Sequence, residues 1–467
     1  DATSLQLENA LVLLKSGSQA SVSSANLHLL NNDNVALALS RIDIDGNADF
    51  SGAGTLRVDI ETRIGFSSSS AVLSVQSGQA LFTKPLSHVS GTLSVVSLTS
   101  TLRLEGAGHV FDGLVNGLGV VVAGNGASVP SRSEVNLSGS GLWKVDGSSA
   151  LVVFDRPSQL LAIVQVLNGV AEFHSSGTAF YEHPVTEMTI GGQGTVRIDA
   201  SSYVKMTRQL STEVVNGKLE LSGKLTIPSG SSWLLESAVI EAHSSSALIV
   251  VSGNWNWRSG SLQAINGLGS QPLVQLTSGS TQSLVVSAAG AGSSGKVAQG
   301  WKLTHESGSS ATWSVGPLTL TSSVVQIDGH VLVSDTFMVD DTNALPLRSS
   351  EVSVVSGLLE IGSLSVISVT LRVSLRVGAS GTVLLSGTNA VNTLHLKSAI
   401  NVFGTIDIVS SLGVVNMFVE TGMIQRVESG ALVKGNGQLL IGAVSMYGRV
   451  QLAYANGGKV VVADTNP

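Results

Sequence analysis

An acidic run near the start of the chain carries oxygen ligands at a spacing that suits a calcium ion. Asp43, Asp45, Asn47 and Asp49 alternate along it, and Gly46 offers a turn at its centre. Calcium binds carboxylate and amide oxygens, so these four residues are the candidate metal ligands and calcium is the one candidate cofactor. Their order departs from an EF-hand loop, in which glycine is sixth and a glutamate closes the loop. The alternative is a solvated turn between two strands.

Two further patterns resemble ligand sites but lack the context that such sites need. Glu172, His174, Glu182 and His183 lie close in sequence and are zinc-ligand types, but nothing fixes their geometry, and a turn is the simpler interpretation. Glycines 290, 292 and 295 match the spacing of a dinucleotide-binding fingerprint. That fingerprint needs a helix after it to bind pyrophosphate, and no amphipathic helix follows. We therefore expect a loop without a nucleotide.

The tryptophans are concentrated in one part of an aromatic-poor chain. Five of the six lie between residues 233 and 313, namely Trp233, Trp255, Trp257, Trp301 and Trp313. Trp255 and Trp257 are two apart and would face the same side of a strand. Facing outward, they would stack on sugar rings or contact a neighbouring chain; facing inward, they would fill the core. All five are candidate interface or ligand residues, with core or subunit contact favoured over sugar binding.

A basic residue followed two positions later by aspartate recurs three times. The pairs are Arg57–Asp59, Lys144–Asp146 and Arg197–Asp199. A polysaccharide-cleaving enzyme needs an acid and a base carboxylate, and such a site is made once. Recurrence predicts instead a solvated surface or a lateral seam of salt bridges. We therefore expect no catalytic residues, with a polysaccharide lyase or glycoside hydrolase as the alternative function.

Composition excludes several classes of protein. The formal net charge is −7 over 467 residues and the basic residues form no stripe, so we expect no nucleic-acid partner. The chain has no cysteine, which excludes disulfides and thiolate metal sites. No apolar run approaches the roughly 18 residues of a membrane span. The absence of a starting methionine suggests a processed chain, and Asn136 begins a glycosylation motif that matters only in a eukaryotic source.

The chain reads as a succession of short strands separated by small polar corners. In the stretch from Val214 to Leu262, apolar pieces alternate with period two and turns recur every six to nine residues or so, too soon for crossover helices. A coil that stacks each strand on the turn below is the simplest solution. Similar Gly-containing segments recur at near multiples of about 23 residues. This predicts an all-β, single-stranded parallel β-helix (β-solenoid) of roughly 20 rungs, right-handed by the usual preference of parallel crossovers.

We expect one continuous coil rather than separate globules. Residues 1–40 would form an N-terminal cap or first rungs, since an open end invites pairing with other chains. Residues 41–467 would form the β-helix, with loops near residues 283–300 and 335–350, where Gly, Ser and Asp are concentrated.

The alternation of glycine corners, short Val/Leu strands and Ser/Thr-rich surface resembles secreted right-handed parallel β-helix repeat proteins. Adhesin and autotransporter passenger domains of bacteria look like this, as do repetitive surface proteins of some protists, and the segment Asn254–Leu262 is similar to their rungs. The resemblance implies an elongated extracellular scaffold.

We therefore expect a non-catalytic structural or adhesive protein at the cell surface or outside the cell. It would be a subunit of a surface fibre or extracellular assembly. Its expected partners are other protein subunits, through self-association or a fibre partner, and cell-surface glycans. Besides the polysaccharide-cleaving enzyme, a phage-type receptor-binding fibre remains an alternative, although no trimerisation segment is evident.

Overall fold

The computed structural model is all-β and divides into two units. Unit 1 comprises residues 1–225 and unit 2 residues 226–467. Every regular element in the described residues is a β-strand, and none of these residues belongs to a helix with the length and apolarity of a membrane span. The described residues are 12–14, 19–23, 26–29, 41–51, 55–131, 135–137, 141–155, 162–174, 181–207, 211–265, 270–284, 296–314, 316–334, 337–340, 350–363, 367–387, 392–396, 400–410, 415–419, 425–435, 438–441, 445–446, 449–452 and 459–462.

Unit 1 has a main sheet, a side sheet and a further pair of strands. The main-sheet strands are β1 (Val12–Leu14), β3 (Asn26–Leu29), β4 (Arg41–Ile44), β6 (Thr55–Val58), β7 (Glu61–Ile64), β9 (Gly78–Phe82), β10 (Leu86–His88), β12 (Ser100–Leu104), β13 (Val110–Phe111), β15 (Val120–Ala123), β16 (Ser128–Ser131), β18 (Leu142–Asp155), β19 (Ile163–His174), β21 (Glu187–Ile198), β23 (Ser211–Val215) and β24 (Lys218–Leu221). The side-sheet strands are β2 (Gln19–Ser23), β5 (Asn47–Ser51), β8 (Val72–Val75), β11 (Thr92–Val95), β14 (Leu114–Gly117) and β17 (Val135–Asn136). The further pair is β20 (Tyr181–Val185) with β22 (Ser202–Met206), and β25 (Lys224–Ile227) contains the position at which the units divide.

Unit 2 has the same organisation. Its main-sheet strands are β26 (Ser232–Glu236), β27 (Ala238–Ala242), β29 (Asn254–Trp257), β30 (Gly260–Ala264), β32 (Thr281–Leu284), β33 (Lys296–Gln299), β35 (Ser310–Trp313), β36 (Gly316–Thr321), β38 (His330–Val333), β39 (Phe337–Asp340), β41 (Leu358–Ser363), β42 (Ile367–Leu371), β44 (Thr382–Gly387), β45 (Asn392–Leu396), β47 (Thr405–Ser410), β48 (Val415–Val419), β50 (Leu432–Gly435), β51 (Gln438–Ile441), β53 (Arg449–Leu452) and β54 (Lys459–Val462). Its side-sheet strands are β28 (Leu248–Val251), β31 (Leu273–Leu276), β34 (Lys302–His305), β37 (Val324–Ile327), β40 (Glu351–Val354), β43 (Ser374–Val377), β46 (Ile400–Val402), β49 (Gln425–Val427) and β52 (Ser445–Met446).

Each strand pairs in parallel with the equivalent strand one turn of the coil away, which confirms the parallel β-solenoid. In unit 1, Thr92 lies between Val72 and Leu114, 20 and 22 positions away in sequence. In unit 2, Thr281 pairs with Ser310, 29 positions away. Because some turns are longer than the 23 residues assumed, the coil has somewhat fewer turns than the roughly 20 predicted. Its right-handed sense stays a prediction.

The period-two pattern decides which side chains enter the core. In β24, Leu219 and Leu221 are buried while Lys218 and Glu220 point outward, and the same alternation recurs in most described strands. Corners bring the backbone of one turn very close to the next. At Gly117, with φ of 129°, an added Cβ would lie 1.9 Å from the carbonyl oxygen of Val95, so only glycine fits there.

A column of aromatic rings runs through the core of unit 1. Successive ring centroids are 5.1–6.0 Å apart. In order, the column contains His88, Phe111, Trp143, Phe154, Phe173 and His183. All six side chains are buried, and a histidine stands at each end of the column. Offset and edge-to-face ring pairs add to the stability that apolar burial supplies.

Strands lie within the predicted N-terminal cap and within both predicted loops. Strands β1–β3 lie within residues 1–40, and β1 pairs with β4. Strand β33 lies within residues 283–300 and β39 within residues 335–350, and the boundaries of the cap and loops stay predictions. Residues 285–295 and 341–349, which contain the rest of those loops and the three glycines of the dinucleotide-like motif, lie outside the described residues.

Candidate functional site

The five candidate tryptophans lie in the core of unit 2. Trp233, Trp255, Trp257, Trp301 and Trp313 are each at most 2% exposed. Trp255 stacks on Trp233, with ring centroids 5.3 Å apart, and on Trp257, at 5.4 Å. The inward alternative is therefore correct, and the proposal that these side chains form an interface or ligand surface is wrong. The outward asparagines that alternate with them, Asn254 and Asn256, are the signal that marks the opposite side as inward.

The calcium candidates lie on two strands on either side of a corner. Asp43 is in β4, Asp45 is at the corner, and Asn47 and Asp49 are in β5. Asp43 accepts two hydrogen bonds of 2.7 Å from the Arg41 guanidinium, and Asp45 accepts one of 2.7 Å from the backbone N–H of Ser67. These contacts engage both buried carboxylates with groups of the protein itself. Calcium binding by these residues stays a prediction.

The zinc-ligand types between residues 172 and 183 are not brought together. Glu172 and His174 point outward from β19, where Glu172 pairs with Arg197. Glu182 contacts Lys205 at 3.3 Å. His183 is fully buried at the end of the aromatic column, and burial lowers its pKa to about 4. Glu182 and His183 are adjacent in β20, and adjacent residues of a strand point to opposite faces of the sheet.

The outer surface of the main sheet in unit 1 carries charges in mutual pairs. Arg57 and Lys144 contact Asp59 and Asp146 at 2.8 Å, as the predicted seam requires. The same spacing, a cation and a carboxylate two residues apart, recurs elsewhere on this surface. The further pairs are Arg41–Asp43, Glu61–Arg63 and Arg103–Glu105. Successive outward positions on a strand thus neutralise each other.

The third predicted pair is replaced by a network across strands. Arg197 donates to Glu172 at 2.7 Å and to Glu220 at 2.6 Å, on the turns before and after its own. Burial raises the pKa of Glu220, but hydrogen bonds from Lys218 and Arg197 outweigh it and hold that pKa below its usual value. Asp199 lies instead beside the His174 ring, at 3.7 Å. The sequence pattern does not reveal Glu172 and Glu220 as the partners of Arg197, because each lies a whole turn of the coil away in sequence.

The outer surface of the side sheet in unit 1 differs, since three adjacent strands present no charge at their outward positions. Strands β8, β11 and β14 align Val72, Thr92 and Leu114 in one row. The next row contains Ser74, Ser94 and Asn116, of which Ser74 is only 4% exposed and accepts a hydrogen bond from the Gln76 amide. We call these six residues the uncharged face. Parallel pairing in register keeps their side chains in straight rows, which makes a regular and nearly flat surface.

Exposed apolar side chains border this face on both sides. Leu98 and Leu118 lie in the corners after β11 and β14, on adjacent turns, and are 64% and 41% exposed. Phe66 and Val89 lie in the corners before β8 and β11 and are 58% and 45% exposed. Four of the seven large apolar side chains exposed in the described residues thus border one small surface. Grouped apolar exposure of this kind is typical of a contact surface.

Sequence reasoning missed the uncharged face because it belongs to three turns at once. Its residues are ordinary in any one strand, and the pattern emerges only when strands about 20 residues apart are aligned. The signal is the lack of Lys, Arg, Asp and Glu in three successive segments at that spacing, residues 72–75, 92–95 and 114–117. The glycosylation candidate Asn136 lies in β17, next to β14 in the same sheet, and its modification stays a prediction.

Comparison with known proteins adds no family. A scan against protein-family models finds no match, and a search of curated proteins finds no relative.

Proposed function

We propose that the protein is a non-catalytic extracellular structural subunit that assembles with other protein subunits, in the first instance copies of itself, through the uncharged face of unit 1. The observation that carries the proposal is the contrast between the two outer surfaces of that unit. The main sheet shows charges that neutralise each other, whereas β8, β11 and β14 of the side sheet show neutral rows bordered by Phe66, Val89, Leu98 and Leu118. On the neighbouring strand β5, the second row ends at the carboxylate of Asp49.

A contact surface gains from such a composition. Association that buries a charge must desolvate it, which costs several kcal/mol unless a partner compensates. The six residues of the uncharged face carry no such cost, and the bordering side chains contribute apolar area at about 25 cal/mol per Å² removed from water. The hydroxyl groups of Thr92 and Ser94 and the amide group of Asn116 supply hydrogen bonds that fix the register between subunits.

The packed core supports a structural role. Backbone ladders and buried Val, Leu and Ile columns make each turn rigid, and the aromatic column and tryptophan stack fill the wider sections. A rigid coil holds its surface rows at fixed spacing, so one subunit offers the same geometry to every partner. Extracellular location and an adhesive role are part of the proposal and follow from the sequence pattern.

Two carboxyl groups of the main sheet suit surface pairing. The pKa of Asp146 is lowered, first by its hydrogen bond with Lys144. Burial raises the pKa of Glu220, but hydrogen bonds from Lys218 and Arg197 outweigh it. Both groups are held as carboxylates by basic neighbours, as mutual charge pairs require.

The test is association of the purified chain, followed by sedimentation velocity and negative-stain electron microscopy beside material from the natural source. We expect concentration-dependent oligomers or filaments. The double variant Leu98→Ser with Leu118→Ser should weaken association about tenfold or more, since it removes apolar area from the border. The control Val409→Ser changes a similarly exposed residue, 42% exposed, in unit 2 and should not.

Two results would overturn the proposal. A chain that stays monomeric at high concentration, and forms no assembly in its natural source, has no subunit role. If the Leu98 and Leu118 variant and the Val409 control weaken association equally, the contact lies elsewhere. Thermal melting of each variant separates loss of contact from loss of folding.

A further inference from the structure

The side sheet of unit 2 contains a groove on its outer surface. Two rows of side chains, offset by one turn, line it. The first row is Lys302, Val324 and Glu351, which are register partners on β34, β37 and β40. The second row is Gln326, Ser353 and Arg376, on β37, β40 and β43. Because the groove is built on paired strands, its side chains are held at the fixed spacing of the sheet.

The groove has the volume of a small-molecule site. It encloses about 390 Å³ and is lined by both rows together with Gln271, Val355 and Gly378. Ligand pockets typically have volumes of about 300–1,000 Å³. Gln271 forms part of the wall, held by the 2.7 Å hydrogen bond from its amide to the carbonyl of Ser322, two turns along the coil. Ser353 is 7% exposed and lies at the floor.

The charged groups of the groove are not neutralised by other side chains in salt bridges. In the part of the chain that the structure describes, Lys302, Glu351 and Arg376 form none, in contrast to the paired cations of unit 1. The Arg376 guanidinium lies 5.7 Å from the centre of the Phe403 ring, which positions it and leaves its N–H donors available. Two cations and one carboxylate give the groove a positive balance in a chain of net charge −7.

The strands beneath the groove exclude one common way of binding a peptide. Extended peptides are usually held by adding a strand to a sheet edge. Here β37 is paired with both β34 and β40, and β40 with both β37 and β43, so their main-chain groups are already used. Recognition must come from side chains alone: two cations, a carboxylate, amide groups and a hydroxyl. That set suits a ligand that carries both carboxylate and many hydroxyl groups.

We propose that this groove binds a carboxylate-bearing saccharide. Arg376 and Lys302 are the partners of the sugar carboxylate, since a guanidinium and an ammonium form charge-assisted hydrogen bonds with it. Glu351 accepts hydrogen bonds from sugar hydroxyls, and the amide oxygen of Gln326 and the Ser353 hydroxyl add further contacts. Val324 supplies an apolar floor between the two ends of the first row. The inference rests on the groove alone and is independent of the proposed assembly.

The test is titration of the full chain with a uronic-acid oligosaccharide, followed by calorimetry at low ionic strength. The methyl-esterified oligosaccharide, which keeps the hydroxyls and lacks the charge, is the ligand control. Arg376→Gln and Lys302→Gln should each weaken binding about tenfold, as expected for loss of a charge-assisted hydrogen bond. Lys434→Gln removes the same charge from a main-sheet strand, where Lys434 pairs with Asp407 at 3.0 Å, and should leave binding unchanged.

Each outcome decides the inference. Binding that is lost on esterification and weakened by the two groove variants supports it. No measurable binding, or equal binding of the esterified and acidic forms, overturns it. Equal weakening by Lys434→Gln shows a diffuse charge effect and overturns it as well. Tighter, variant-sensitive binding of a glutamate-rich peptide would assign the groove to an acidic protein segment instead. Association, measured separately, tests the proposed function and is unaffected by either groove variant.

Discussion

The two units use the same coil to present different outer surfaces. In unit 1, β8, β11 and β14 carry neutral rows, and the charges lie in pairs on the main sheet. In unit 2, the side sheet carries unpaired cations and a carboxylate around a groove of about 390 Å³. The backbone is the same parallel ladder in both. The difference shows that function in such a coil depends on the outward positions, which are free to vary because the inward positions alone maintain the fold.

The cores of the two units also differ, in their number of buried histidines. We expect this difference to give the largest effect of all, a loss of stability in acid. Burial lowers the pKa of His88 and His183 in unit 1, and of His305 in unit 2, to about 4, and lowers that of His109 in unit 1. Asp112 beside His88 and Asp155 beside His183 act in the opposite direction and are outweighed. The described part of unit 1 therefore has three such histidines, against one in unit 2.

The sign of the effect follows from linkage. Above the unfolded pKa of about 6.5 these histidines are neutral in both states, and stability is fully present. As the pH falls from 6.5 to about 4, only the unfolded chain takes up the protons, and each histidine whose pKa lies at about 4 (His88, His183 and His305) removes about 3 kcal/mol by pH 4, while His109 acts in the same direction. We expect hydrogen exchange of the full chain to show unit 1 losing protection at higher pH than unit 2. Simultaneous loss in both units, or stability unchanged down to pH 4, would contradict the assignment.

His183→Phe sharpens this prediction. Phenylalanine continues the aromatic column against Phe173, whose centroid lies 5.5 Å from that of His183. Both ring nitrogens of His183 are buried without a hydrogen-bond partner, so the variant should gain stability at neutral pH, and it should gain about 2–3 kcal/mol more near pH 4.5, measured by urea unfolding. A gain of the same size at both pH values would show a packing effect and not a titration.

A charge placed on the uncharged face should give the next largest effect. Ser94→Arg puts an unpaired guanidinium into the proposed contact, and we expect association to weaken about a hundredfold, by sedimentation velocity, because the charge must be desolvated. Thr101→Arg, an outward position of β12 on the main sheet, is the matched control. Equal losses in the two variants would remove the distinction between the two surfaces of unit 1.

Added salt should affect saccharide binding by unit 2 and association through unit 1 differently. Raising the ionic strength to about 1 M shortens the Debye length to about 3 Å, so binding of a uronic-acid oligosaccharide by unit 2 should fall several-fold. Association through the uncharged face involves no charge pair and should stay the same or strengthen. Isothermal titration and sedimentation at two salt concentrations give both values. Salt-sensitive association would indicate that the charged surface forms the contact.

The smallest effect is expected at the paired surface of unit 1. Arg57→Gln breaks the 2.8 Å contact with Asp59, but Arg57 is exposed. Exposed ion pairs contribute about 0.2–1 kcal/mol, so the free energy of unfolding should change by less than about 1 kcal/mol and association should not change. A larger loss of association would place the seam in the subunit contact.

The sequence predicts the coil well because the coil is repeated locally. The alternation within β24 predicts a strand and the glycine corners predict turns. The pairs Arg57–Asp59 and Lys144–Asp146 are predictable because their members are only two residues apart. The sequence predicts poorly the contacts between residues on different turns of the coil. The partners of Arg197 are 25 and 23 positions away, and turns of unequal length hide that register.

The sequence also predicts poorly which side of a strand faces the core. Trp255 and Trp257 share a side under either alternative, and only the polar neighbours Asn254 and Asn256 decide which side it is. The groove depends on Lys302, Glu351 and Arg376 being near one another, which needs four turns aligned in register. No local pattern contains that information.

The central claim is that subunits meet through the uncharged face, and site-specific labelling tests it most directly. Because the chain has no cysteine, Ser94→Cys and Thr101→Cys each provide a single thiol, on the side sheet and the main sheet of unit 1. The measurement is the rate at which each thiol reacts with a soluble reagent in dilute monomer and in the assembly. If subunits meet through the uncharged face, assembly protects the thiol at position 94 at least about tenfold and leaves the thiol at position 101 reactive. Equal reactivity of both thiols in the assembly, or protection of position 101 alone, would contradict it.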